Sequence, residues 1–327
     1  MKALVYDGVE TLTWRDAPDP EPGPGQHLIR IAASGICGSD MHAFLGHDER
    51  RPAPLILGHE AAGTIEGGPR NGDRVTINPL VSCGTCRACR TGRDNLCPER
   101  QIISLPPAEG AFAQYVVMRE ENLVTVPDGV SLDHAALAEP LACGWHAVRL
   151  GVAALLMPLP EARCHVIGGG AIGVGAALAL RAQGATEITL GEPNAHRRER
   201  LSAIDGFATV EPDAAAEADL VVDAVGYAAT RAAASAICRP GGVILHIGLG
   251  EATGGLDVRR MTLQEITFIG TYTYTAQDFR DTATAIFDGR LGPLDWTERR
   301  PLAEGAQAFA DIRAGAVAAP KIILEPW

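Results

Sequence analysis

The sequence lacks any long apolar run, internal repeat or low-complexity segment. Its longest apolar stretch, residues 152–160, is interrupted by prolines at 158 and 160 and is too short to cross a bilayer. We therefore predict no membrane span. Neither disorder nor collagen-like repetition fits a chain of 327 residues with 46% hydrophobic content, which is long enough for two ordinary globular domains.

The chain also lacks an excess of basic residues, since 28 Lys and Arg against 40 Asp and Glu give a formal net charge of -12. Such a charge repels the phosphates of nucleic acids and the head groups of anionic lipids. The first residues, MKALVYDGVETLTW, lack the basic start and continuous apolar stretch of a secretory signal. We therefore expect a cytoplasmic protein with no nucleic acid and no membrane as its partner.

Two regions of different pattern divide the chain. Up to about residue 130, glycines and prolines separate short alternating segments such as DRVTI and FAQYVVM, which are typical of strands. From about residue 141, alanine-rich helical runs alternate with short apolar strands, which predicts an α/β fold with a doubly wound parallel sheet. Because the final KIILEPW again has strand character, we predict a mostly β domain of residues 1–140 and 276–327 and a Rossmann domain of residues 141–275.

A glycine-rich turn lies near the start of the second region. The segment GGGAIG, from Gly168 through Gly170, Ala171 and Ile172 to Gly173, fits the pattern G-x-G-x-x-G between a predicted strand and a predicted helix. Glycines are needed there because the turn is tight, the backbone must approach a pyrophosphate, and helix must pack on strand. The helix N-terminus then meets the negative charge of the pyrophosphate. We predict that these residues bind a dinucleotide cofactor.

Further cofactor contacts are predicted at the ends of later strands. Glu192 ends the next strand, 19 positions beyond the last glycine of the turn, where a carboxylate accepts hydrogen bonds from the adenosine ribose. This position favours NAD, but Arg197 follows shortly after it and could bind a ribose phosphate, so NADP stays open. Val225, Gly248 and Leu249 follow two further strands, in loops that face the ligand crevice of such sheets.

Four cysteines fall in one short segment with the spacing C-x2-C-x2-C-x7-C: Cys83, Cys86, Cys89 and Cys97. A reducing compartment favours metal binding by such a cluster over disulfides. Tetrahedral zinc is the natural occupant, and the spacing differs from the ferredoxin runs that hold iron–sulfur clusters. Because protein sulfurs would fill all four positions, we predict a structural zinc site with no chemistry of its own.

A second set of metal ligands is spread over the first region. It consists of Cys37 in GICGSDMH, His59 and Glu60 in GHE, and Glu139 in AEPLACG. Each alone has an ordinary explanation, as a small core residue, a hydrogen-bonded histidine or a helix cap. Their joint appearance ahead of a dinucleotide motif indicates a catalytic metal site.

Together these motifs resemble the zinc-containing medium-chain dehydrogenases and, within them, the sorbitol (polyol) dehydrogenase-like branch. The resemblance covers nearly the whole chain and depends on CGSDMH, GHEAAG, GDRV, the four-cysteine lobe, AEPLACG and GGGAIG in the family's order. It implies that the mostly β domain is GroES-like and that Cys37 and His59 bind a catalytic zinc ion. Glu60 and Glu139 are the candidate carboxylate ligands, one bound directly and the other through water or during turnover.

The resemblance also implies a mechanism. Three protein ligands leave a fourth zinc position for the substrate oxygen, where the cation stabilises the developing alkoxide while hydride leaves for the nicotinamide. Ser39 and His42 are the expected route for the proton. A hydroxyl can accept and donate hydrogen bonds, and a histidine titrates near neutral pH.

The chain departs from the polyol dehydrogenase pattern near the expected substrate pocket. Family members carry a tyrosine just beyond the CGSDxH histidine, where this chain has Ala43 and Phe44. Thr273 stands where the family's G-x-F-R-Y segment has its arginine, next to Tyr272. We predict that Phe44 and Tyr272 contact the substrate. The stretch from 192 to 219, which should hold the third strand of the nucleotide sheet, is also shorter than usual.

The sequence therefore predicts an oxidoreductase with two zinc ions per chain that transfers a hydride between NAD and a secondary alcohol. Its substrate would be a small polar alcohol or its ketone: a polyol, sugar or sugar acid. A threonine or simple secondary-alcohol dehydrogenase of the same superfamily is an enzymatic alternative, and a non-catalytic zinc-binding interaction protein is an alternative of another class. By resemblance we also expect a homodimer or homotetramer.

Overall fold

A computed structural model describes residues 1–327, which form two compact units. The first unit contains residues 1–139, 275–288 and 297–327, and the second contains residues 140–274 and 289–296. No helix in the structure has the length and hydropathy that a bilayer crossing requires.

The first unit is mainly β-structure. Its strands are β1 (Lys2–Gly8), β2 (Thr11–Asp16), β3 (Gln26–Gly35), β4 (Leu55–Ile56), β5 (Glu60–Glu66), β6 (Arg74–Ile77), β7 (Leu80–Val81), β8 (Gln101–Ile102), β9 (Tyr115–Arg119), β10 (Leu123–Thr125), β17 (Glu298–Pro301) and β18 (Ile322–Glu325). The main sheet has the order β10-β6-β5-β3-β18-β17, and β9 also pairs with β3. A smaller sheet has the order β2-β1-β4, and β7 pairs with β8.

Strand β3 is the centre of the main sheet. Its isoleucines, Ile29 and Ile31, alternate with less buried residues and are fully buried in a core with Ile65 and Val75. It pairs antiparallel with β5, β9 and β18. The C-terminal strand β18 therefore completes a sheet that residues near the N-terminus begin.

Short helices fill the connections of the first unit. They are α1 (Gly38–Phe44), α2 (Arg87–Arg90), α3 (Leu132–Ala136), α9 (Ala276–Phe287) and α10 (Gly305–Arg313). A longer helix, α4 (Ala138–Ala154), begins in the first unit and continues into the second.

The second unit is a six-stranded parallel sheet with helices between its strands. The strands are β11 (Arg163–Ile167), β12 (Glu187–Gly191), β13 (Ala208–Val210), β14 (Ala218–Asp223), β15 (Cys238–His246) and β16 (Thr267–Gly270), and the helices are α5 (Ala171–Ala182), α6 (Ala195–Leu201), α7 (Ala228–Ile237) and α8 (Val258–Leu263). The strand order β13-β12-β11-β14-β15-β16 is that of a Rossmann sheet. The predicted fold class, a Rossmann sheet with a mostly β, GroES-like unit, is confirmed.

The register of this sheet aligns the carboxyl ends of its central strands. Ile167 lies opposite both Gly191 and Asp223, Asp223 lies opposite His246, and His246 lies opposite Gly270. The loops that follow these strands therefore emerge at one edge of the sheet, where open parallel sheets bind their ligands.

The third strand of the parallel sheet, β13, has only three residues, as the short stretch between 192 and 219 suggested.

Residues 289–296, which the sequence analysis placed in the first domain, instead belong to the second unit. There the Arg290 guanidinium lies 5.8 Å from the ring centre of Trp145, and Leu291, Leu294 and Trp296 are buried. Such long-range packing leaves no local sequence signal.

Phe44 lies in the hydrophobic core of the first unit. Its ring centre is 5.3 Å from that of Phe309 on α10, which in turn lies 6.0 Å from that of Phe112. The side chain is only 5% exposed. This burial contradicts the prediction that Phe44 contacts the substrate, because α1 turns the ring towards the core rather than towards solvent.

Replacement of Phe44 by alanine should lower the free energy of unfolding by about 3–5 kcal/mol, because it leaves a cavity beside Phe309. Phe44→Leu, which preserves most of the volume, should cost only about 1 kcal/mol. Urea denaturation of both variants measures these changes. If Phe44→Ala were as stable as the parent but had a raised KM for an alcohol, Phe44 would return to the substrate site.

Candidate functional site

Three potential metal ligands converge in the first unit. Cys37 precedes α1, and His59 precedes Glu60 at the start of β5. The pairing of Gly35 with Glu60 brings the end of β3, just before Cys37, beside the start of β5. The potential ligand atoms of Cys37, His59 and Glu60 all lie within 4.8 Å of one another. A thiolate, an imidazole and a carboxylate suit a catalytic zinc ion, because three protein ligands leave one position for a substrate.

Gly35 makes room for the carboxylate of this set. A Cβ atom at position 35 would lie 2.1 Å from Glu60 Oε2, which is far inside van der Waals contact. Only glycine therefore allows the Glu60 side chain to lie against β3.

Asp40, on α1, lies beside the histidine. Its Oδ1 lies 3.4 Å from His59 Nδ1 and accepts a 3.3 Å hydrogen bond from the Gly58 amide, while its Oδ2 accepts one of 3.0 Å from the Cys37 amide. Burial works to raise the pKa of Asp40, but His59, Arg51 and the Cys37 amide together lower it below its ordinary value. An ionised Asp40 beside Nδ1 leaves Nε2 of His59 for a metal ion.

Glu60 forms a buried ion pair with Lys321. The lysine Nζ lies 2.7 Å from each Glu60 carboxylate oxygen and donates a further 2.7 Å hydrogen bond to the carbonyl of Ile36. Burial opposes the lysine charge, but Glu60, Cys37 and Glu139 raise the pKa of Lys321 above its ordinary value. Any bond from Glu60 to a metal ion would thus share the carboxylate with a cation.

Glu139 is the last residue of the first unit and lies in the first turn of α4. It is buried, yet it does not belong to the three residues whose ligand atoms converge. Its charge nevertheless acts on Lys321. Both Glu60 and Glu139 therefore remain candidates for the carboxylate ligand.

The predicted relay residues lie on α1. Ser39 Oγ is 3.5 Å from His59 Nε2, and the Ser39 carbonyl accepts a 3.0 Å hydrogen bond from the buried Arg51. His42 is exposed and lies three residues after Ser39, so the two side chains share one face of the helix. The arrangement places a hydroxyl beside the metal ligands and a titratable ring nearer to solvent.

The four-cysteine lobe forms a separate cluster. The potential ligand atoms of Cys83, Cys86, Cys89 and Cys97 lie within 4.8 Å of one another. Cys83 Sγ accepts a 3.4 Å hydrogen bond from the Cys86 amide. The amides of Thr85 and Cys86 are the main groups that lower the pKa of Cys83, to about 6. Four sulfurs in a loop that stabilises a thiolate suit tetrahedral zinc with no open position.

Two glycines of the turn in the second unit have different roles, one in helix packing and one in leaving space for a ligand. A Cβ atom at Gly173 would lie 1.8 Å from the carbonyl oxygen of Gly168, so helix α5 can pack on the turn only if residue 173 is glycine. A Cβ atom at Gly170 would meet nothing within 4 Å. The structure therefore has open space at the N-terminus of α5, a 12-residue helix, where backbone amides can bind a pyrophosphate.

Glu192 lies beside this turn at the end of β12. It is 5% exposed, and its Oε2 accepts a 2.9 Å hydrogen bond from the Gly169 amide while Oε1 accepts one of 2.8 Å from the Asn194 amide. Arg197 Nη1 lies 3.9 Å from Oε2. The arginine charge is thus partly matched by the carboxylate.

Three further predicted cofactor residues and one predicted substrate residue lie at the same edge of the sheet. Val225 follows β14, and its Cγ2 would be 2.4 Å from a Cβ atom at Gly168. Gly248 follows β15, and its neighbour Leu249 is a largely exposed apolar side chain. Tyr272 follows β16 and is half-buried. The sheet therefore brings the loops after β14, β15 and β16 to the ligand edge.

Two glycine variants should separate folding from cofactor binding. Gly170→Ala should leave the melting temperature close to that of the parent, because its methyl group meets open space, yet it should weaken NADH binding at least about tenfold by blocking the pyrophosphate. Gly173→Ala should lower the melting temperature, because the methyl group collides with the Gly168 carbonyl. Thermal melts and NADH fluorescence titrations test the pair. Unchanged NADH affinity in a stable Gly170→Ala protein would place the cofactor elsewhere.

A Rossmann sheet with an open glycine turn, together with converging cysteine, histidine and glutamate side chains that could hold a metal ion, is typical of a metal-dependent dinucleotide oxidoreductase. Comparison with known families gives the same class. Residues 23–128 match the alcohol dehydrogenase GroES-like domain, and residues 171–288 match the zinc-binding dehydrogenase family.

Individual relatives extend over most of the chain. Sorbitol dehydrogenase of Bacillus subtilis (strain 168) is 33% identical over 296 residues, which cover 84% of this chain and 82% of that protein. L-galactonate-5-dehydrogenase of Escherichia coli (strain K12) is 29% identical over 328 residues, 94% of each chain. A solved zinc-binding dehydrogenase from Sinorhizobium meliloti 1021, bound to NADP, superposes with a TM-score of 0.89 at 27% identity over 99% of each chain.

The chain belongs to the zinc-containing medium-chain dehydrogenase/reductase superfamily, in its polyol dehydrogenase-like branch. It is a zinc-dependent, NAD(P)-linked oxidoreductase that transfers a hydride to or from an alcohol carbon. These comparisons confirm the predicted family, enzyme class and cofactors, and they support neither the threonine dehydrogenase nor the non-catalytic alternative.

Sequence reasoning missed two residues that contact the candidate metal ligands. Asp40 carried a usable signal, because it stands three residues after Cys37 within CGSDMH and a carboxylate there reaches back to the Cys37 amide. Lys321 carried a weaker sequence signal, because it is a single cation at the start of an apolar strand. Its partner Glu60 lies 261 residues away in the sequence.

Proposed function

We propose that this protein oxidises a secondary alcohol of a polyol, sugar or sugar acid with NAD, and reduces the corresponding ketone in reverse. The observation that carries the proposal is the convergence of Cys37, His59 and Glu60 within 4.8 Å, in a chain that also contains the open glycine turn. The relatives named for sorbitol and for L-galactonate support the substrate class.

In this proposal Cys37 and His59 hold the catalytic zinc ion, with Glu60 or Glu139 as the carboxylate ligand. When bound, such an ion supplies a Lewis acid for the alcohol oxygen. Asp40 holds the imidazole of His59 in the orientation that presents Nε2. Lys321 balances part of the negative charge that two carboxylates and a thiolate bring to one buried place.

Ser39 is proposed to take the proton of the substrate hydroxyl and to pass it towards His42. Its Oγ lies beside His59, and the bond from Arg51 to its carbonyl fixes the helix turn that carries it. The exposure of His42 supports its role as the group that exchanges the proton with solvent.

NAD is proposed as the preferred cofactor. The buried Glu192 carboxylate lies beside the glycine turn, where it would accept hydrogen bonds from the ribose hydroxyls and repel an added phosphate. Arg197, which could bind such a phosphate, lies against this carboxylate. Among the predicted substrate residues, Tyr272 stays a proposal, whereas Phe44 is part of the core.

Turnover should be measured as NADH formation from sorbitol and L-galactonate, with L-threonine and 2-propanol for comparison. We expect two zinc ions per chain and faster turnover of the hydroxylated chains, with NAD preferred to NADP. Cys37→Ser should bind one zinc ion, retain NADH binding and lose about a thousandfold or more in turnover, because the Lewis acid is gone.

Cys164→Ser is a matched control, because this cysteine is buried in β11 of the second unit and belongs to neither metal cluster. It should keep both zinc ions and full turnover. Preference for L-threonine without any turnover of polyols or sugar acids would contradict the proposed substrate class. Full activity of Cys37→Ser would contradict the metal site.

We further propose a cytoplasmic homodimer or homotetramer. Eight cysteines without disulfides suit a reducing compartment, and β16 is an edge strand that pairs only with β15 and so offers a free edge to a second copy. A molar mass in solution of two or four times 34.3 kDa is expected from light scattering. A single-chain mass would contradict the assembly, and fractionation of producing cells tests the compartment.

A further inference from the structure

Arg231 is a buried cation in the second unit whose hydrogen bonds all go to backbone carbonyls. It lies on α7 and is 5% exposed. Its Nε donates to the carbonyl of Gly254 (2.6 Å), Nη1 donates to those of Gly226 (2.8 Å) and Glu251 (3.0 Å), and Nη2 donates to that of Thr253.

Three of these four carbonyls belong to the connection between β15 and α8, residues 247–257, which we call the β15–α8 loop. The loop folds closely onto α7. A Cβ atom at Gly255, whose φ is +88°, would lie 2.0 Å from the Ala228 carbonyl oxygen. Glu251 adds a second attachment, because its Oε2 accepts a 2.7 Å hydrogen bond from the Ala228 amide at the start of α7.

This loop conformation needs a donor at its centre. The carbonyls of Glu251, Thr253 and Gly254 converge on the guanidinium group from partly buried positions, and the Gly226 carbonyl meets it from a buried one. Partly or fully buried carbonyls without partners cost free energy. A guanidinium group carries five N–H donors in one plane and can satisfy several converging acceptors at once. An apolar side chain of similar length cannot do so, and burying the cation is favourable only while these bonds exist.

The other end of the same loop carries the residues at the ligand edge of the sheet. The amides of Ile247 and Gly248 donate to the Asp223 carbonyl (3.0 and 3.1 Å), and the Gly250 amide donates to that of Val225 (3.1 Å). The segment after β15 therefore runs alongside the segment after β14. Arg231 bonds to both segments, through Gly226 and Glu251.

We propose that Arg231 is a positioning residue for the cofactor: it holds the β15–α8 loop so that Gly248 and Leu249 stand ready at the dinucleotide site before NAD binds. The inference rests on the proposed function, which places NAD at this edge. Arg231 itself need not touch the cofactor. Its removal would lower the fraction of molecules with an ordered loop and raise the apparent Kd in proportion.

Arg260 provides a matched control. It lies on α8 and also bonds only to carbonyls, those of Ser235 (2.8 Å) and Cys238 (3.0 Å) at the far end of α7. Arg260→Met therefore removes a comparable guanidinium group from the same helix pair without releasing residues 247–254.

The experiment compares Arg231→Met, Arg231→Lys and Arg260→Met with the parent by hydrogen exchange and NADH fluorescence titration. In Arg231→Met we expect faster amide exchange in the cofactor-free β15–α8 loop. The Kd for NADH and the KM for NAD should rise roughly tenfold, while kcat at saturating NAD changes less than about twofold. Arg231→Lys, which can bond to fewer of the carbonyls, should be intermediate.

Arg260→Met removes two side-chain bonds rather than four, so it should lower the melting temperature by less than Arg231→Met does, with NADH affinity and loop exchange like those of the parent. The inference is overturned if Arg231→Met binds NADH as tightly as the parent, or if Arg260→Met weakens NADH binding equally. Failure of the parent itself to bind NADH or NADPH would overturn the proposed function as well. The parent titration therefore distinguishes the two failures.

Discussion

The buried ion pair between Lys321 and Glu60 is the contact on which the first unit depends. It joins the start of the C-terminal strand to the start of β5 at 2.7 Å, and the same lysine binds the carbonyl just before Cys37. Loss of either partner would leave an uncompensated charge in the core, at a cost of about 3–5 kcal/mol. One interaction therefore links two strands that both pair with β3 and adds a positive charge beside the proposed metal ligands.

Much of the fold could be predicted because its signals are local. The glycine turn, the alternation of strands and helices, and the strand character of the last residues all lie within short windows. Residues 289–296 and Phe44 could not be placed correctly, because their positions depend on partners such as Trp145 and Phe309 that are distant in sequence. The candidate metal ligands could be predicted from the chemistry of their side chains. The residues that contact those ligands could not, because these contacts depend on tertiary packing.

The two units solve the problem of buried polar groups in different ways. In the first unit, carboxylates are matched by Lys321, Arg51 and a histidine around the proposed metal ligands. In the second unit, Arg231 satisfies carbonyls rather than carboxylates, and at the sheet edge the Glu192 carboxylate accepts a bond from the Gly169 amide. Charge thus serves electrostatic balance in one unit and loop geometry in the other.

The absence of a side chain at Gly35 has an evolutionary consequence. Because the Glu60 carboxylate occupies the volume that a Cβ atom at position 35 would need, the two positions cannot change independently. A descendant that lost its metal could fill this space only after shortening residue 60, and it would then leave Lys321 as a buried cation without its carboxylate. Positions 35, 60 and 321 should therefore vary together among related chains.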